Sequence, residues 1–193
     1  MNYVFLDVDG VLNSDEYFER RERTAKEHRK EGFLRREDDL DPVACTLANG
    51  IITRCNLQVV LSSTWRSHGL ELVGPMFVDK GLTAPLIGKT PHIGPVEAGS
   101  NYKRSETQRG LEIEWWLVEN VLRSEWADTR IVILDDDSDM SRLMPWFVHT
   151  PWPDGLQPKH EALIAAVLER PLGALLETPN PLWTPEALKY LGY

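Results

Sequence analysis

The sequence is poor in cysteine and contains no long apolar run. It has only two cysteines, Cys45 and Cys55, which are too few for a four-cysteine zinc site or a disulfide framework. We interpret both as reduced, mostly buried thiols. No apolar segment approaches the roughly 20 residues that a membrane-spanning helix needs. The apolar start reaches Asp7 too early for a signal peptide, so we expect a cytoplasmic protein.

Positive charge is also scarce. The chain has 21 Lys and Arg residues against 30 Asp and Glu residues, a formal net charge of −9. This excludes broad, sequence-independent clamping of nucleic acid, which needs a basic surface. A small basic pocket for one phosphate or one nucleic-acid end remains compatible with it, and a bound cation would neutralise part of the acidity.

Short apolar segments alternate with helical patterns along the chain. Apolar runs predict buried strands at residues 3–6, 57–61, 130–134 and 147–149. Apolar residues at helical spacing predict helices at residues 42–54, 109–121 and 158–168. Asp41 and Pro42 are typical of the N-cap and first position of the first of these helices. The alternation predicts right-handed βαβ units and a mostly parallel, doubly wound sheet.

A charged insert occupies residues from about 14 to 40. Acids precede bases at the helix-supporting spacing i, i+4 in the pairs Glu16–Arg20, Glu19–Arg23 and Glu22–Lys26. Few apolar residues interrupt the charges, so the pattern predicts a solvated surface helix. A small cap over an active site, with its basic residues facing substrate, is the alternative.

Two other regions show weaker patterns. Residues 67–108 predict a loop-rich connection with one short helix near 70–78, because Gly, Pro, Ser and Thr are frequent there. We expect one main domain over residues 1–170, a size that suits a single core. Residues 171–193 are expected to form a C-terminal extension packed on or beside it, with a final helix candidate at 185–191.

Polar, reactive residues follow three predicted strands at the point where each strand ends. Asp7 and Asp9 follow the first strand, Ser62 and Ser63 the second, and the acids of residues 135–139 the third. The carboxyl ends of parallel strands form the ligand crevice of an open α/β sheet. These side chains are therefore expected to converge, which is a stronger argument than any single motif.

The same segments resemble the signatures of the haloacid dehalogenase (HAD) superfamily. DVDGVLN at residues 7–13 resembles the first signature, VVLS at 59–62 the second and IVILDD at 131–136 the fourth. Arg109 stands where the third, basic signature is found, although the family usually has lysine there. The resemblance implies an α/β, three-layer Rossmann-like HAD fold with a mostly parallel central sheet and a minimal cap.

Three further segments are similar to a subgroup found in multi-part RNA-repair proteins. They are STWR at residues 63–66, RGLEI at 109–113 and LDDDSD at 134–139. This similarity, together with the small cap, implies a phosphorylated substrate that is an RNA or DNA end or a nucleotide.

The resemblance implies a nucleophile and an acid–base pair at the first strand. Asp7 would attack phosphorus and become transiently phosphorylated, which splits one difficult step into two. Asp9 would protonate the leaving oxygen and later deprotonate water. The alternative for this pair is plain turn capping or cation binding.

The phosphate would be held by the second and third signatures. Ser62 would donate a hydrogen bond to a phosphate oxygen, and Ser63 is the close alternative because one residue of strand slip exchanges them. Arg109 would stabilise charge on the transferring phosphoryl group through its planar fork. Lys103 or Arg104 are the alternatives to Arg109.

The other expected substrate contacts lie beside these signatures. They are Gly10, Ser63, Trp65 and Arg66, with Trp65 stacking on a base and Arg66 contacting phosphate. The alternative for Trp65 is packing under the rim of the crevice. His68 and His92 are interpreted as spectators.

The acid cluster predicts a Mg²⁺ site, because hard oxygen ligands suit this ion better than zinc. Asp7 and Asp136 would bind through carboxylate oxygen, with Asp135 or Asp139 in direct or water-mediated support. Asp9 would contribute its backbone carbonyl. A solvated acidic loop is the alternative.

The function that follows is a Mg²⁺-dependent phosphatase that hydrolyses a phosphomonoester through a phospho-aspartate. Nucleic-acid or nucleotide ends are the expected substrates. A small-molecule phosphatase or 5′-nucleotidase is one alternative, and a non-catalytic HAD-like binding domain is another.

Overall fold

The fold is built on a central sheet of parallel strands. The computed structural model describes residues 1–27, 39–93 and 108–177. Five strands pair in the order β3-β2-β1-β4-β5, and every pair is parallel. The strands are β1 (Asn2–Leu6), β2 (Gln58–Leu61), β3 (Leu86–Lys89), β4 (Arg130–Asp135) and β5 (Phe147–His149). This confirms the predicted α/β class and its Rossmann-like sheet.

Five α-helices connect and flank the strands in the described residues. They are α1 (Asp15–Glu27), α2 (Pro42–Arg54), α3 (Leu70–Asp79), α4 (Gln108–Asn120) and α5 (His160–Leu168). The predicted start of α2 is confirmed, because the Asp41 carboxylate accepts a hydrogen bond from the Val43 amide at 2.9 Å and Pro42 opens the helix.

The strand β3 was not predicted. It lies in the region 67–108 that was expected to be loop-rich, and it has only four residues, one of them Gly88. Its side chains are half-buried or exposed in alternation, so it lacks the apolar run that identified the other strands. The predicted short helix near 70–78 is confirmed as α3.

Two apolar layers enclose the sheet and give the three-layer arrangement. On one face, Leu6, Leu61 and Leu134 pack with buried residues of α2, α3 and α5. On the other face, Phe5, Val60 and Ile133 pack with α4 and the chain that follows it. Because side chains alternate along each strand, β1, β2 and β4 contribute to both layers.

The charged helix α1 and the chain after α5 differ in burial. Most described side chains of α1 from Asp15 to Arg23 are exposed or half-buried, as expected of a solvated helix, and Tyr17 packs inward at 9% exposure. Beyond α5, Leu172 and Leu175 are buried in the α4-side layer.

No helix in the described ranges is long and apolar enough to cross a membrane. The Lys26 side chain, Lys103, Arg104 and residues 185–191 lie outside the described residues.

Candidate active site

The strand register brings polar residues into one line across the carboxyl edge of the sheet. Leu6 is the register partner of both Leu61 and Leu134, and the residues that follow them are all polar. This polar row comprises Thr90, Ser62, Asp7, Asp135 and His149. Leu6 faces the α2 side, so alternation turns the Asp7 side chain towards α4. The expected convergence of the strand ends is therefore a consequence of register.

Three carboxylates lie close together at this edge of the sheet, two in the polar row and one in the residue that follows it. Asp7, Asp135 and Asp136 each offer one oxygen, and these oxygens lie within 4.8 Å of one another. Asp7 is 5% exposed and Asp135 is fully buried. We call these three residues the acid cluster. It joins the first and fourth signatures, which are more than a hundred residues apart in the sequence.

Burial and mutual repulsion oppose the ionisation of the acid cluster. Burial raises the pKa of Asp135 to about 9, and the charge of Asp7 adds to the effect. Burial followed by the same repulsion raises the pKa of Asp136 to about 6. Burial also raises the pKa of Asp7, against the opposing influence of Arg109, the Ser63 hydroxyl and the Val8 amide. The cluster therefore retains protons unless another cation compensates its charge.

The donor set fits a hard divalent cation. All three groups are carboxylates, the ligand type that Mg²⁺ prefers. Asp135 Oδ2 is buried and has no aligned hydrogen bond among the described residues, although Arg109 Nε lies 3.3 Å away. An oxygen left in this state has a free lone pair for a metal ion.

Gly10 brings the turn after β1 against the acid cluster. Its φ is +73°, a conformation that favours glycine. A Cβ at this position would lie 2.5 Å from both Cβ and Cγ of Asp136. The glycine of the Asp-x-Asp-Gly sequence is thus required by the close approach of the two loops.

Asp9 lies outside the acid cluster and is held by two donors. Asn13 Nδ2 donates to Asp9 Oδ1 at 2.9 Å, and Trp65 Nε1 donates to Asp9 Oδ2 at 3.0 Å. Asn13 Oδ1 also accepts the Gly10 amide at 2.9 Å. The Trp65 ring is 5% exposed, as the packing alternative for this residue expects. The orientation of the Asp9 carboxylate is fixed from both sides.

The two serines after β2 have different surroundings. The Ser63 hydroxyl lies near Asp7 and opposes the rise in the pKa of its carboxyl group, and Ser63 Oγ accepts the Trp65 amide at 3.3 Å. Ser62 Oγ is buried and has no hydrogen-bond partner within the part of the chain that the structure describes. Only the Ser62 hydroxyl is therefore uncommitted, which favours Ser62 over Ser63 as the donor to a phosphate.

Arg109 lies at the start of α4 and points into the polar row. Its Nη2 is 3.7 Å from Asp7 Oδ2 and its Nε is 3.3 Å from Asp135 Oδ2, while Nη1 donates to the Ser62 carbonyl. Burial opposes the charge of Arg109, but Asp7 and Asp135 outweigh it and raise its pKa. This is the position that the third signature implies.

Asp139 fixes the start of α4. Its Oδ2 accepts the Arg109 amide at 3.0 Å, and its carbonyl accepts the Gly110 amide at 3.1 Å. A Cβ at residue 110 would collide with the Met140 carbonyl. The glycine after Arg109 therefore lets the helix approach the acidic loop. Asp139 Oδ2 caps the helix, while Asp139 Oδ1 is buried and has no hydrogen-bond partner among the described residues. The metal support expected from Asp139 stays a prediction.

Sequence reasoning missed a buried ion pair beside the serines. Arg66 is 8% exposed and Glu112 is 2% exposed, and Arg66 Nη2 lies 2.8 Å from both carboxylate oxygens of Glu112. Glu112 Oε1 also accepts the Ile93 amide at 3.2 Å, and His92 Nδ1 is 3.2 Å from Arg66 Nη2. The available signal was a glutamate one turn after Arg109 on the apolar face of α4.

The chain was compared with known proteins. A family model described as the HAD domain in Swiss Army Knife RNA repair proteins matches residues 3–160. No curated protein and no solved structure gives a significant match. The matched range includes the polar row, the acid cluster and Arg109.

Proposed function

Because the chain belongs to the family of HAD domains found in Swiss Army Knife RNA repair proteins, we propose that it is a Mg²⁺-dependent phosphatase that forms a phospho-aspartate at Asp7. The family confirms the resemblance drawn from the signatures, and a HAD-type, phosphatase-like function agrees with it. One observation carries the finer proposal. Asp7 lies in a buried cluster with two other carboxylates and 3.7 Å from a guanidinium.

In the first step, a carboxylate oxygen of Asp7 attacks phosphorus. The ester P–O bond breaks, and the leaving oxygen takes a proton from the Asp9 carboxyl group. Asp7 Oδ1 accepts the Val8 amide at 2.8 Å, so the nucleophile is held in a fixed orientation before substrate arrives. Such preorganisation lowers the barrier because little rearrangement is needed.

In the second step, the phospho-aspartate is hydrolysed. Asp9 takes a proton from water, the water oxygen attacks phosphorus, and the bond between Asp7 and phosphorus breaks to release inorganic phosphate. The donors on Asp9, Asn13 Nδ2 and Trp65 Nε1, hold its carboxyl group in place for both proton transfers.

Arg109 and Ser62 would hold the transferring group. The Arg109 guanidinium stabilises charge on phosphoryl oxygens, and the uncommitted Ser62 hydroxyl donates a hydrogen bond to one of them. Asp7, Asp135 and Asp136 would hold Mg²⁺, with the Asp9 carbonyl in support. When bound, the ion neutralises the carboxylates and polarises the phosphoryl oxygens.

The substrate class that we propose is the phosphorylated end of RNA or DNA, or a nucleotide. The support is the family itself, which is described from RNA repair proteins. A net charge of −9 argues against extended backbone binding, so recognition is confined to the terminal phosphate and its neighbours.

Phosphate release tests the proposal. The purified protein with Mg²⁺ is assayed on 5′- and 3′-phosphorylated RNA and DNA oligonucleotides, mononucleotides and sugar phosphates. We expect release from nucleic-acid or nucleotide ends, and none from Asp7→Asn although this variant still unfolds cooperatively on heating. Turnover of sugar phosphates alone would contradict the substrate class. Full activity of Asp7→Asn would refute the phospho-aspartate.

A further inference from the structure

We propose that Arg66 and Glu112 are a positioning pair that fixes the backbone of Ser62 and Ser63 for catalysis. The inference rests on the proposed function, because it assigns a role in that reaction to residues that need not touch the substrate. It also reassigns Arg66, which the sequence indicated as a phosphate contact.

The first argument is the geometry of the serine carbonyls. Arg109 Nη1 donates to the Ser62 carbonyl, and Arg66 Nη1 donates to the Ser63 carbonyl at 3.2 Å. Arg109 and Glu112 are three residues apart on α4 and so lie on the same face, one turn apart. Two residues one turn apart on α4 thus fix two consecutive carbonyls. Arg109 bonds directly to the carbonyl of Ser62, and Glu112 acts on the carbonyl of Ser63 through Arg66.

The second argument is that both terminal nitrogens of the Arg66 guanidinium are engaged. Its Nη2 donates to both Glu112 oxygens, its Nη1 holds Ser63, and its carbonyl accepts Lys89 Nζ at 3.0 Å. Glu112 is faced by Arg66, by the Ile93 amide and by the exposed ring of His92 at 3.5 Å. If Arg66 moved to a phosphate, Glu112 would remain as a buried charge without its main partner, which is strongly unfavourable.

The third argument is what the serine segment carries. Ser63 Oγ accepts the amide of Trp65, whose indole holds Asp9, and the Ser63 hydroxyl lies near the nucleophile and opposes the rise in the pKa of Asp7. A displaced Ser63 backbone would therefore disturb the nucleophile and the acid–base group together. The loss should fall on kcat more than on KM, because bound substrate would be attacked from the wrong geometry.

The chain offers a matched control on the same helix. Glu114 is 1% exposed and pairs with Arg142, with Nε to Oε1 at 2.8 Å and Nη2 to Oε2 at 3.0 Å. Arg142 Nη1 then donates to the Leu175 carbonyl at 3.2 Å. This pair has the same chemistry as Arg66–Glu112 and an equally buried carboxylate, although the Arg142 side chain is 20% exposed against 10% for Arg66. It holds the chain after α5.

The test compares double variants, since replacing both members of a buried ion pair by apolar residues often preserves the fold. One protein carries Arg66→Met and Glu112→Leu, and the other carries Arg142→Met and Glu114→Leu. We expect the first to lose about 100-fold in kcat with KM changed less than about threefold. The control should keep kcat. Glu112→Gln and Glu114→Gln allow the same comparison of kcat, because glutamine removes the charge of each glutamate and keeps its shape.

Amide hydrogen exchange gives a readout that does not need turnover. The Arg66 amide donates to the Ser63 carbonyl at 3.1 Å, and the Trp65 amide donates to Ser63 Oγ. We expect both amides to exchange faster in the Arg66/Glu112 variants and at the wild-type rate in the controls. The proposal would be overturned if the Arg66→Met/Glu112→Leu protein kept the wild-type kcat and the wild-type amide exchange rates. It would also be overturned if both double variants lost kcat equally. If the wild-type protein hydrolyses no phosphomonoester, the proposed function fails, and exchange alone decides the positioning role.

Discussion

Two groups of buried charges flank the first turns of α4, and they differ in how completely the protein compensates them. In the Arg66–Glu112 pair, one guanidinium meets one carboxylate in a bidentate contact at 2.8 Å. In the acid cluster, Arg109 faces two of three carboxylates, at 3.3 and 3.7 Å. The first group is balanced within the chain, whereas the second has three carboxylates and one guanidinium, so its full ionisation would leave excess negative charge.

The difference indicates what each group does. A buried charge without a partner is costly, so an uncompensated cluster is expected where a ligand supplies the missing charge. A balanced pair has no such need and instead fixes the backbone around it. On this basis the acid cluster and Arg109 form the reacting centre, while Arg66 and Glu112 hold it in shape.

The largest effect that would test this contrast is expected from Arg109→Met. The substitution removes the cation that faces Asp7 and Asp135, and with it the charge that stabilises the transferring phosphoryl group. We expect kcat to fall about 10²- to 10³-fold, measured by steady-state phosphate release. Arg109→Lys keeps the charge without the planar fork and should recover part of the rate. If Arg109→Met kept the wild-type kcat, Lys103 or Arg104 would be the residue that stabilises the transferring phosphoryl group.

A somewhat smaller loss is expected from Gly10→Ala, which changes the shape of the cluster and leaves its charge intact. The added methyl group would require a φ of +73° and would lie 2.5 Å from Asp136, so Asp136 must move. We expect kcat to fall about 100-fold and the free energy of unfolding to fall by about 1–3 kcal/mol.

Gly74→Ala is the control for this substitution. Gly74 lies inside α3, and an added Cβ would meet nothing within 4 Å. It should keep full activity and gain up to about 1 kcal/mol in stability, because alanine favours a helix more than glycine. If Gly10→Ala is equally harmless, the close approach to Asp136 is not needed for function.

The two groups also differ in how far the sequence revealed them. The acid cluster was predicted because its members end strands that are recognisable as apolar runs, and parallel strands bring their carboxyl ends together. The predicted residues Asp7, Asp135 and Asp136 meet as that rule requires. The strand β3 escaped prediction because it is short and only half-buried, with no apolar run to mark it.

The Arg66–Glu112 pair was not predictable in the same way. Its two members are 46 residues apart, and neither lies at a strand end. The sequence indicated Arg66 as a phosphate contact, and Glu112 is marked only as a glutamate on the apolar face of α4. The pairing depends on how closely α4 approaches the sheet, which is set by Gly110 against the Met140 carbonyl. Tertiary distances of this kind leave no periodic mark in a sequence.

The serines give a smaller and sharper comparison. Ser62 Oγ has no partner among the described residues, so Ser62→Ala should cost little stability and lower kcat/KM about tenfold by removing a phosphate donor. Ser63→Ala removes the hydrogen bond from the Trp65 amide and the hydroxyl near Asp7, and it should cost about 1 kcal/mol of stability. Thermal melts and kinetics on both variants measure this. A loss of kcat/KM in Ser63→Ala together with unchanged kinetics in Ser62→Ala would identify Ser63 as the phosphate donor.

The last expected effect is on stability alone: the melting temperature should shift with pH, and the shift reports directly on the ionisation of the acid cluster. Burial and the charge of Asp7 raise the pKa of Asp135 to about 9, above the ordinary aspartate value in the unfolded chain. An acid of this kind stabilises the fold while protonated, and that contribution declines as pH rises from the unfolded pKa through the folded one. In the presence of a chelator, the melting temperature should therefore fall between about pH 5 and about pH 9.

Magnesium should reverse that fall, because a bound dication replaces the protons that the cluster would otherwise retain. At about 10 mM Mg²⁺ and a dissociation constant near 1 mM, the stabilisation is about 1.4 kcal/mol, or about 3–6 °C for a chain of this size. The shift should be larger at high pH than at low pH. Asp135→Asn should lose most of the pH dependence above about pH 6, where Asp136 titrates, and most of the Mg²⁺ response. Glu112→Gln should keep both, since its pair lies outside the cluster. A Mg²⁺ shift that is independent of pH, or one that survives in Asp135→Asn, would mean that the excess charge of the cluster is not what binds the ion.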